Sequence, residues 1–428
     1  MYAAGARRRG ETILNYDATM ALNTPARMRL LGAALLVAVV GIDAQQAVAR
    51  REPASKAAEI LFWTPERREK YIVELDAFFM TRTVKASPSA ARPLAVGQPL
   101  AAFNAGGARG DYFQRFMNDQ RVHGVLVLQD GKIRLERYTA PQGPLTRWNS
   151  FSVAKSITAT LVGAAMHDGD IKSLDDDVTR YINELRGSAY DGVSVRQLLT
   201  MTSGVKWNED YTDPRSDVAE MYAQRAAPGF DMTTSYVRKL PREAAPGTKW
   251  VYKTSETNLV GVLVAKATRK PLADYLSDKI WRPYGMERDA EWMIDEVGHE
   301  QGGCCLAMTL RDVGRFGQFI LDDARINGRS IVADGWLEDA TRNHVSTGAA
   351  ESGYGYQWWT RSDGTFEGRG IYGQTLHIDR ARRLVIVINS ATEQPTDRAA
   401  GLARQDFLAA VKHELDRVLL MPVDSLIR

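Results

Sequence analysis

Cysteine is almost missing from this chain: of 428 residues only Cys304 and Cys305 are cysteines, and they are adjacent. Neighbouring cysteines rarely bridge, so no disulfide framework is expected, and no Cys/His spacing of the metal-ligand kind occurs. An excess of either charge is also missing. Lys and Arg number 55 against 52 Asp and Glu, a formal net charge of +3, and beyond Arg7-Arg8-Arg9 there is no basic stripe with interleaved aromatics. Nucleic acid is therefore excluded as a partner. The chain has no Gly-x-Ser-x-Gly elbow, phosphate loop, dinucleotide fingerprint or internal repeat, and histidines 123, 167, 299, 344, 377 and 413 are scattered. A Ser-His-Asp hydrolase and a nucleotide cofactor lose their usual signatures, and no cofactor or metal is expected.

What is present is an ordinary globular composition, 44% hydrophobic and 25% charged, long enough for two domains or for one with a large insertion. Arg27-Met28-Arg29, the apolar run Leu30 to Ile42 and Ala47-Val48-Ala49 make a basic flank, a short apolar core and a small-x-small site. That pattern reads as a secretory signal peptide, too short to span a bilayer comfortably, and implies a periplasmic or secreted protein. The competing reading is an uncleaved inner-membrane anchor, which Asp43 favours. Residues 1–27 read as no folded element.

Residues 57–80 carry a helical pattern through Ile60, Leu61, Tyr71, Ile72, Leu75 and Phe78, and 84–108 form a Pro/Ala/Gly connector. Residues 124–128 and 132–138 read as a hairpin turned by Asp130-Gly131, the first strand apolar on both faces and so central in its sheet. From 165 to 350 helical patterns alternate with turns. Asp175-Asp176-Asp177 caps a helix starting near Val178 rather than holding a metal. Residues 354–359, 370–378 and 383–389 read as strands, and an amphipathic helix runs from Arg398 to Leu420. The division that follows is 1–49 leader or anchor, 50–108 N-terminal helix and linker, 109–164 with 350–428 as a sheet-containing α/β part, and 165–349 as a helical insertion.

The chemistry centres on residues 148–163. Apolar residues at Val153, Ile157, Leu161 and Ala164-Ala165 follow helical spacing, with hydroxyl residues before them as caps. Ser152 falls in the first turn and Lys155 one turn on, so a hydroxyl and an amine meet within hydrogen-bond reach. A serine needs an adjacent base to become a nucleophile, and a lysine serves if burial lowers its pKa. Free N–H groups at the helix start lie where an oxyanion would form. A second Ser-x-x-Lys, Ser203 to Lys206, sits in a turn-like stretch with no apolar periodicity behind it.

Three phrases now stand together: residues 150–156 (Ser-Phe-Ser-Val-Ala-Lys-Ser), 198–205 (Leu-Leu-Thr-Met-Thr-Ser-Gly-Val) and 302–309 (Gly-Gly-Cys-Cys-Leu-Ala-Met-Thr). In combination they resemble the serine β-lactamase-related superfamily, with class C β-lactamases, family VIII esterases and, nearest, the 6-aminohexanoate-dimer hydrolases. The resemblance runs from about residue 58 to the C-terminus. It implies an α+β, β-lactamase/transpeptidase-like fold: an antiparallel sheet flanked by helices, an all-helical subdomain and an active site between them. It also implies a serine hydrolase acting on a small-molecule ester or amide, the alternatives being a β-lactamase or DD-peptidase acting on carboxylate-bearing substrates and a non-catalytic penicillin-binding-like sensor.

Residue by residue, the resemblance implies Ser152 as nucleophile, Lys155 as base and Tyr252, after the lead-in Pro246 to Val251, as the phenol that passes protons. Thr254 stands where the family pattern has asparagine, and Asn258 substitutes only if the loop is longer. Residues 368–374 match the family's third motif, so the backbone N–H of Ile371 becomes the second oxyanion donor beside that of Ser152. The motif's cation is missing at Gly368, which disfavours carboxylate-bearing substrates unless Arg369 points into the cleft. Substrate-contacting candidates are Gly370 and Arg369 together with Trp207, Tyr211 and Asp217 from a turn-rich, acidic and aromatic loop suited to an amine-bearing substrate. Membrane contact is expected only through the N-terminal segment.

Overall fold

The computed structural model describes residues 51–419 apart from 105, 106 and 351, and the leader or anchor expected over 1–49 lies outside them. Along the chain run β1 (Thr81–Val84), β2 (Val122–Gln129), β3 (Lys132–Tyr138) and β4 (Arg147–Asn149), then helices α1 (Ala154–His167) and α2 (Thr254–Thr268). Next come β5 (Ala290–Met293), β6 (Leu306–Thr309) and α3 (Leu310–Leu321). The chain closes with β7 (Ser352–Tyr354), β8 (Trp359–Arg361), β9 (Phe366–Gly370), β10 (Gln374–Asp379), β11 (Leu384–Ser390) and α4 (Arg398–Leu419).

The large sheet has nine strands, ordered β7-β8-β9-β10-β11-β2-β3 with two-residue strands Val345–Ser346 and Ala95–Val96 at its edges. All its pairings are antiparallel except that of Ala95–Val96 with β3. β2 is central because it is apolar on both faces: Leu126 and Leu128 enter the main core, while Val125 and Val127 enter a second core with Phe113, Phe116 and Phe407. The β2–β3 turn places Asp130 at φ 51° and Gly131 at φ 72°, the left-handed pair that a two-residue hairpin requires.

The four-stranded antiparallel sheet β1-β5-β6-β4 was not legible in the pattern. Two of its strands lie within 165–349, the stretch read as helical, because fully buried strands of four residues carry no alternation. The helix expected over 57–80 is three pieces, Ala54–Phe62, Pro65–Tyr71 and Leu75–Phe78, since Pro65 opens a new helix whose first turn Thr64 caps through the Arg67 N–H. The strand expected over 370–378 is a hairpin, broken at Tyr372 (φ 62°) and Gly373 (φ 91°), and 354–359 turns at Gln357 (φ 63°). Asp177 does cap the short helix Val178–Arg180, through the Thr179 N–H at 2.8 Å. A further expectation is overturned: Cys304 and Cys305 are joined in a disulfide, with Cys305 in the left-handed region.

Candidate active site

β4 delivers the site. The Asn149 side chain accepts the Phe151 N–H at 3.1 Å, and the Ser150 N–H goes to the Leu306 carbonyl of β6 at 3.0 Å. The chain then turns through a 3-10 segment, Phe151–Val153, which runs straight into α1. No side chain caps α1, contrary to expectation: the Ser152 hydroxyl faces Lys155, and Ser150 reaches only the Phe151 carbonyl at 3.4 Å. From Ala154 to Ala165 every residue of α1 is buried, so it is a central helix rather than an amphipathic one.

That burial sets the chemistry of Lys155, whose side chain is 1% exposed. Its Nζ lies 3.1 Å from Ser152 Oγ, 3.1 Å from Thr254 Oγ1 and beside the Gly303 carbonyl oxygen. Loss of hydration brings its pKa down from 10.5 to about 7, against the opposing pull of the Glu209 carboxylate. Tyr252 lies just before α2, its ring stacked on Trp359 at 5.5 Å and 5.3 Å from Lys155 Nζ. Burial, reinforced by Glu209, pushes its phenol far above the ordinary range, and the nearby Ser152 side chain opposes the shift.

β9 runs beside the nucleophile's turn. A Cβ at Gly370 would lie 2.6 Å from the Ser150 carbonyl oxygen, and one at Gly368 would lie 3.1 Å from Ser156 Oγ. The absent cation at 368 thus has a local cause: that position faces α1 and has little room for a side chain. Arg369 does line the cavity, with Nε donating to Glu367 at 2.5 Å and its guanidinium 5.2 Å from the Trp359 ring. Ser152, Glu209, Tyr211, Tyr252, Gly370 and Ile371 border the same cavity, of about 360 Å³. Beside it, a narrow apolar recess runs between Ile60, Phe151, Val218 and the Cys304–Cys305 pair, with Ser152 and Ile371 common to both.

Trp207 and Asp217, expected at the substrate, border neither. Trp207 is buried and gives its indole N–H to Glu209, while Asp217 accepts from the Asn208 N–H at 2.6 Å and from the Tyr236 hydroxyl at 2.7 Å. They hold the loop's shape, and its acids do not form a continuous wall: Asp210 caps its own turn at Thr212 and Asp213 the one at Arg215. Ser203 is buried against Lys253 and Glu256, while Lys206 is exposed, so the second Ser-x-x-Lys is no pair.

Sequence reasoning named Thr254 and Asn258 without giving either a contact, and it missed Arg404. Thr254, at the family's asparagine position, contacts Lys155 directly. Asn258 touches the lysine's carbonyl partner instead, accepting the Gly303 N–H at 2.7 Å. Arg404, on α4, borders the cavity, and its buried Nε has no hydrogen-bond partner among the described residues. No local signal marks it among the other basic residues of that helix. Among the described residues no cluster of His, Cys, Asp or Glu could hold a metal.

A buried Ser–Lys pair at the head of a central helix, against a glycine-flanked strand of an antiparallel sheet, defines a serine hydrolase of β-lactamase/transpeptidase-like fold. The chain matches the family described as Beta-lactamase over residues 110–411 and belongs to it. It is 29% identical over 343 residues to a 6-aminohexanoate-dimer hydrolase of Paenarthrobacter ureafaciens, covering 76% of this chain and 87% of the relative. It is 28% identical to esterase EstB of Burkholderia gladioli, covering 43% of this chain and half of the esterase. Among solved structures, a Bacillus anthracis protein provisionally assigned as a 6-aminohexanoate-dimer hydrolase superposes with TM-score 0.71 at 24% identity, over 81% of this chain and 94% of that one. A class C β-lactamase superposes with TM-score 0.54 at 18% identity, over 73% and 95%; these two likenesses speak for the fold alone.

Proposed function

We propose that this hydrolase cleaves ester or linear amide bonds of small substrates through an acyl-enzyme. Ser152 Oγ attacks the carbonyl carbon while its proton passes to Lys155 Nζ, and the backbone N–H groups of Ser152 and Ile371 hold the oxyanion. Tyr252, kept protonated by burial, gives its proton to the leaving oxygen or nitrogen as that bond breaks and is reprotonated from Lys155. Water then attacks the acyl carbon, its proton goes to the same groups, and Ser152 departs with its hydroxyl restored. The observation that carries this reading is the 3.1 Å approach of Lys155 Nζ to Ser152 Oγ, with the lysine's pKa brought down to about 7 by burial. The names of the relatives support the bond types.

Ser152→Ala should abolish both p-nitrophenyl ester turnover and the mass increment of an acyl-enzyme, by about 10⁶-fold in rate. Ser203→Ala should label as the parent does. Labelling that persists in Ser152→Ala and vanishes in Ser203→Ala would refute the assignment.

One observation favours a second reading, in which the substrate carries a carboxylate, as β-lactams and D-Ala-D-Ala peptides do. Arg404, half-buried at the cavity's edge, has an Nε with no hydrogen-bond partner among the described residues, and the Glu367 carboxylate that attracts it is already bonded to Arg369 and His377, which leaves the guanidinium able to meet a substrate anion. Mature protein offered p-nitrophenyl butyrate, nitrocefin and a linear 6-aminohexanoate oligomer separates the two. Nitrocefin turnover within about tenfold of the best ester, a gap of 1.4 kcal/mol or less in transition-state stabilisation, favours the second. We also propose that residues 1–49 direct export and that the cleft lies between the sheet-bearing part and the segment 165–349. N-terminal sequencing of the secreted or periplasmic protein tests the former, and separate expression of the two parts the latter.

A further inference from the structure

Lys155 Nζ has three oxygen neighbours, Ser152 Oγ, Thr254 Oγ1 and the Gly303 carbonyl. A neutral amine has two N–H bonds and one lone pair. The carbonyl can only accept, so it takes one N–H. The Thr254 hydroxyl can accept or donate, and its choice decides whether the lysine's lone pair is left for Ser152 or engaged by Thr254.

Glu209 makes that choice. Its Oε1 accepts the Thr254 hydroxyl proton, and its Oε2 accepts the Thr254 N–H at 2.9 Å, at the first turn of α2. The Trp207 indole N–H and the Tyr211 hydroxyl, the latter at 2.7 Å, also converge on it. Four donors fill a carboxylate's accepting positions, so Glu209 is built into the wall of the cavity it borders rather than left free for a substrate amine.

We propose that Glu209 is a positioning residue: by taking the Thr254 proton it fixes that hydroxyl as an acceptor from Lys155 and leaves the lysine's lone pair to Ser152. The proposal rests on the Ser152–Lys155 reading above. When Ser152 Oγ bonds to the carbonyl carbon and its proton moves to Nζ, the new ammonium still has Thr254 Oγ1 and Gly303 O as acceptors, and the Glu209 charge stands one hydroxyl away. The other titratable groups around the pair are the phenols of Tyr211, Tyr222, Tyr252 and Tyr354, all with pKa values raised chiefly by burial, and Arg369 and Arg404 border the same cavity. Removing the negative charge of Glu209 therefore lowers the lysine's pKa further.

The test compares Glu209→Gln, Thr254→Val, Thr254→Ser, the Glu209→Gln/Thr254→Val double variant and Ser152→Ala on a p-nitrophenyl ester across pH. Glu209→Gln and Thr254→Val should each lower kcat about 10- to 100-fold with little change in KM, and Thr254→Ser should recover most of the loss. The acid limb of kcat/KM should move to lower pH in Glu209→Gln. The double variant should be no worse than the poorer single one, because both act through one hydroxyl. An unmoved acid limb, or losses that multiply, with Ser152→Ala inactive, overturns the positioning role and leaves the nucleophile standing. Turnover surviving in Ser152→Ala overturns both. If Glu209→Gln does not fold, the contrast between Thr254→Val and Thr254→Ser decides alone, since a structural role would not distinguish them in kcat while thermal melts agree.

Discussion

The Asn258 side-chain oxygen accepts the Gly303 N–H at 2.7 Å, and the carbonyl of the same Gly303 accepts from Lys155. The two peptide units that flank the Gly303 Cα are thus each held, one by a residue of α2 and the other by the lysine. The Asn258 amide is itself anchored, donating to Gln301 Oε1 at 3.0 Å and to the Tyr222 hydroxyl at 3.2 Å. Asn258→Leu should leave the Gly303 N–H buried without a partner, at a cost of about 1–3 kcal/mol. Chemical denaturation should register that loss, and kcat should fall about 10- to 100-fold as the carbonyl drifts from the lysine.

A lysine whose pKa is about 7 must lose its proton before it can act as base, so kcat/KM should rise through pH 7 and level off above pH 8. Tyr252, its pKa pushed upward, should bring no basic limb within the ordinary working range. Lys155→Arg keeps the charge and cannot lose it, so its activity should fall about 10²- to 10⁴-fold with no recovery at high pH.

The same shift enters stability. Between pH 7 and 10.5 the unfolded chain holds a proton on Lys155 that the folded chain has released, so folding becomes more favourable as pH rises through that window. Below about pH 7 the burial cost is fully present. Denaturation midpoints of the parent should climb between pH 7 and 9 relative to those of Lys155→Met, which lacks that titration.

Gly370→Ala would set a methyl 2.6 Å from the Ser150 carbonyl oxygen and 3.1 Å from the Phe151 Cβ. β9 would be pushed off the nucleophile's turn and Ile371 carried with it. Kinetics should show a loss of about 10²-fold or more, as for an oxyanion donor removed, at a stability loss of about 1–3 kcal/mol.

The Arg404→Leu variant lacks a half-buried guanidinium that borders the cavity and whose Nε has no hydrogen-bond partner among the described residues. On neutral esters its KM should stay within about threefold of the parent, while on a carboxylate-bearing substrate KM should rise about tenfold or more. Equal KM changes on both would remove Arg404 from substrate recognition.

Much of the fold was legible where it depends on neighbours along the chain. The hairpin at Asp130-Gly131, the two-faced apolar strand β2 and the helix α4 follow from residues within a few positions of one another. The four-stranded sheet was not legible, because strands Ala290–Met293 and Leu306–Thr309 are short, buried on both faces and meet partners far away in sequence. In the site, Gly370, Arg369 and Tyr211 reach the cavity wall, whereas Trp207 and Asp217 turn to other partners. Composition marked the loop as aromatic and acidic but could not say which side chain faces inward.

By itself the sequence determined that Ser152 and Lys155 share one helical face three residues apart, because that spacing follows from the helix period alone. It also determined that no side chain at 368 supplies a cation and that no histidine belongs to the motif. Only the tertiary structure decided that Lys155 is dry enough to be neutral near pH 7, since its amine is met by Thr254 of α2 and by the Gly303 carbonyl, both far from it in sequence. It likewise decided that Glu209 accepts the Thr254 hydroxyl and that Cys304 bridges to Cys305. Hydration and hydrogen-bond direction are set by which distant segments meet, and no local spacing encodes them.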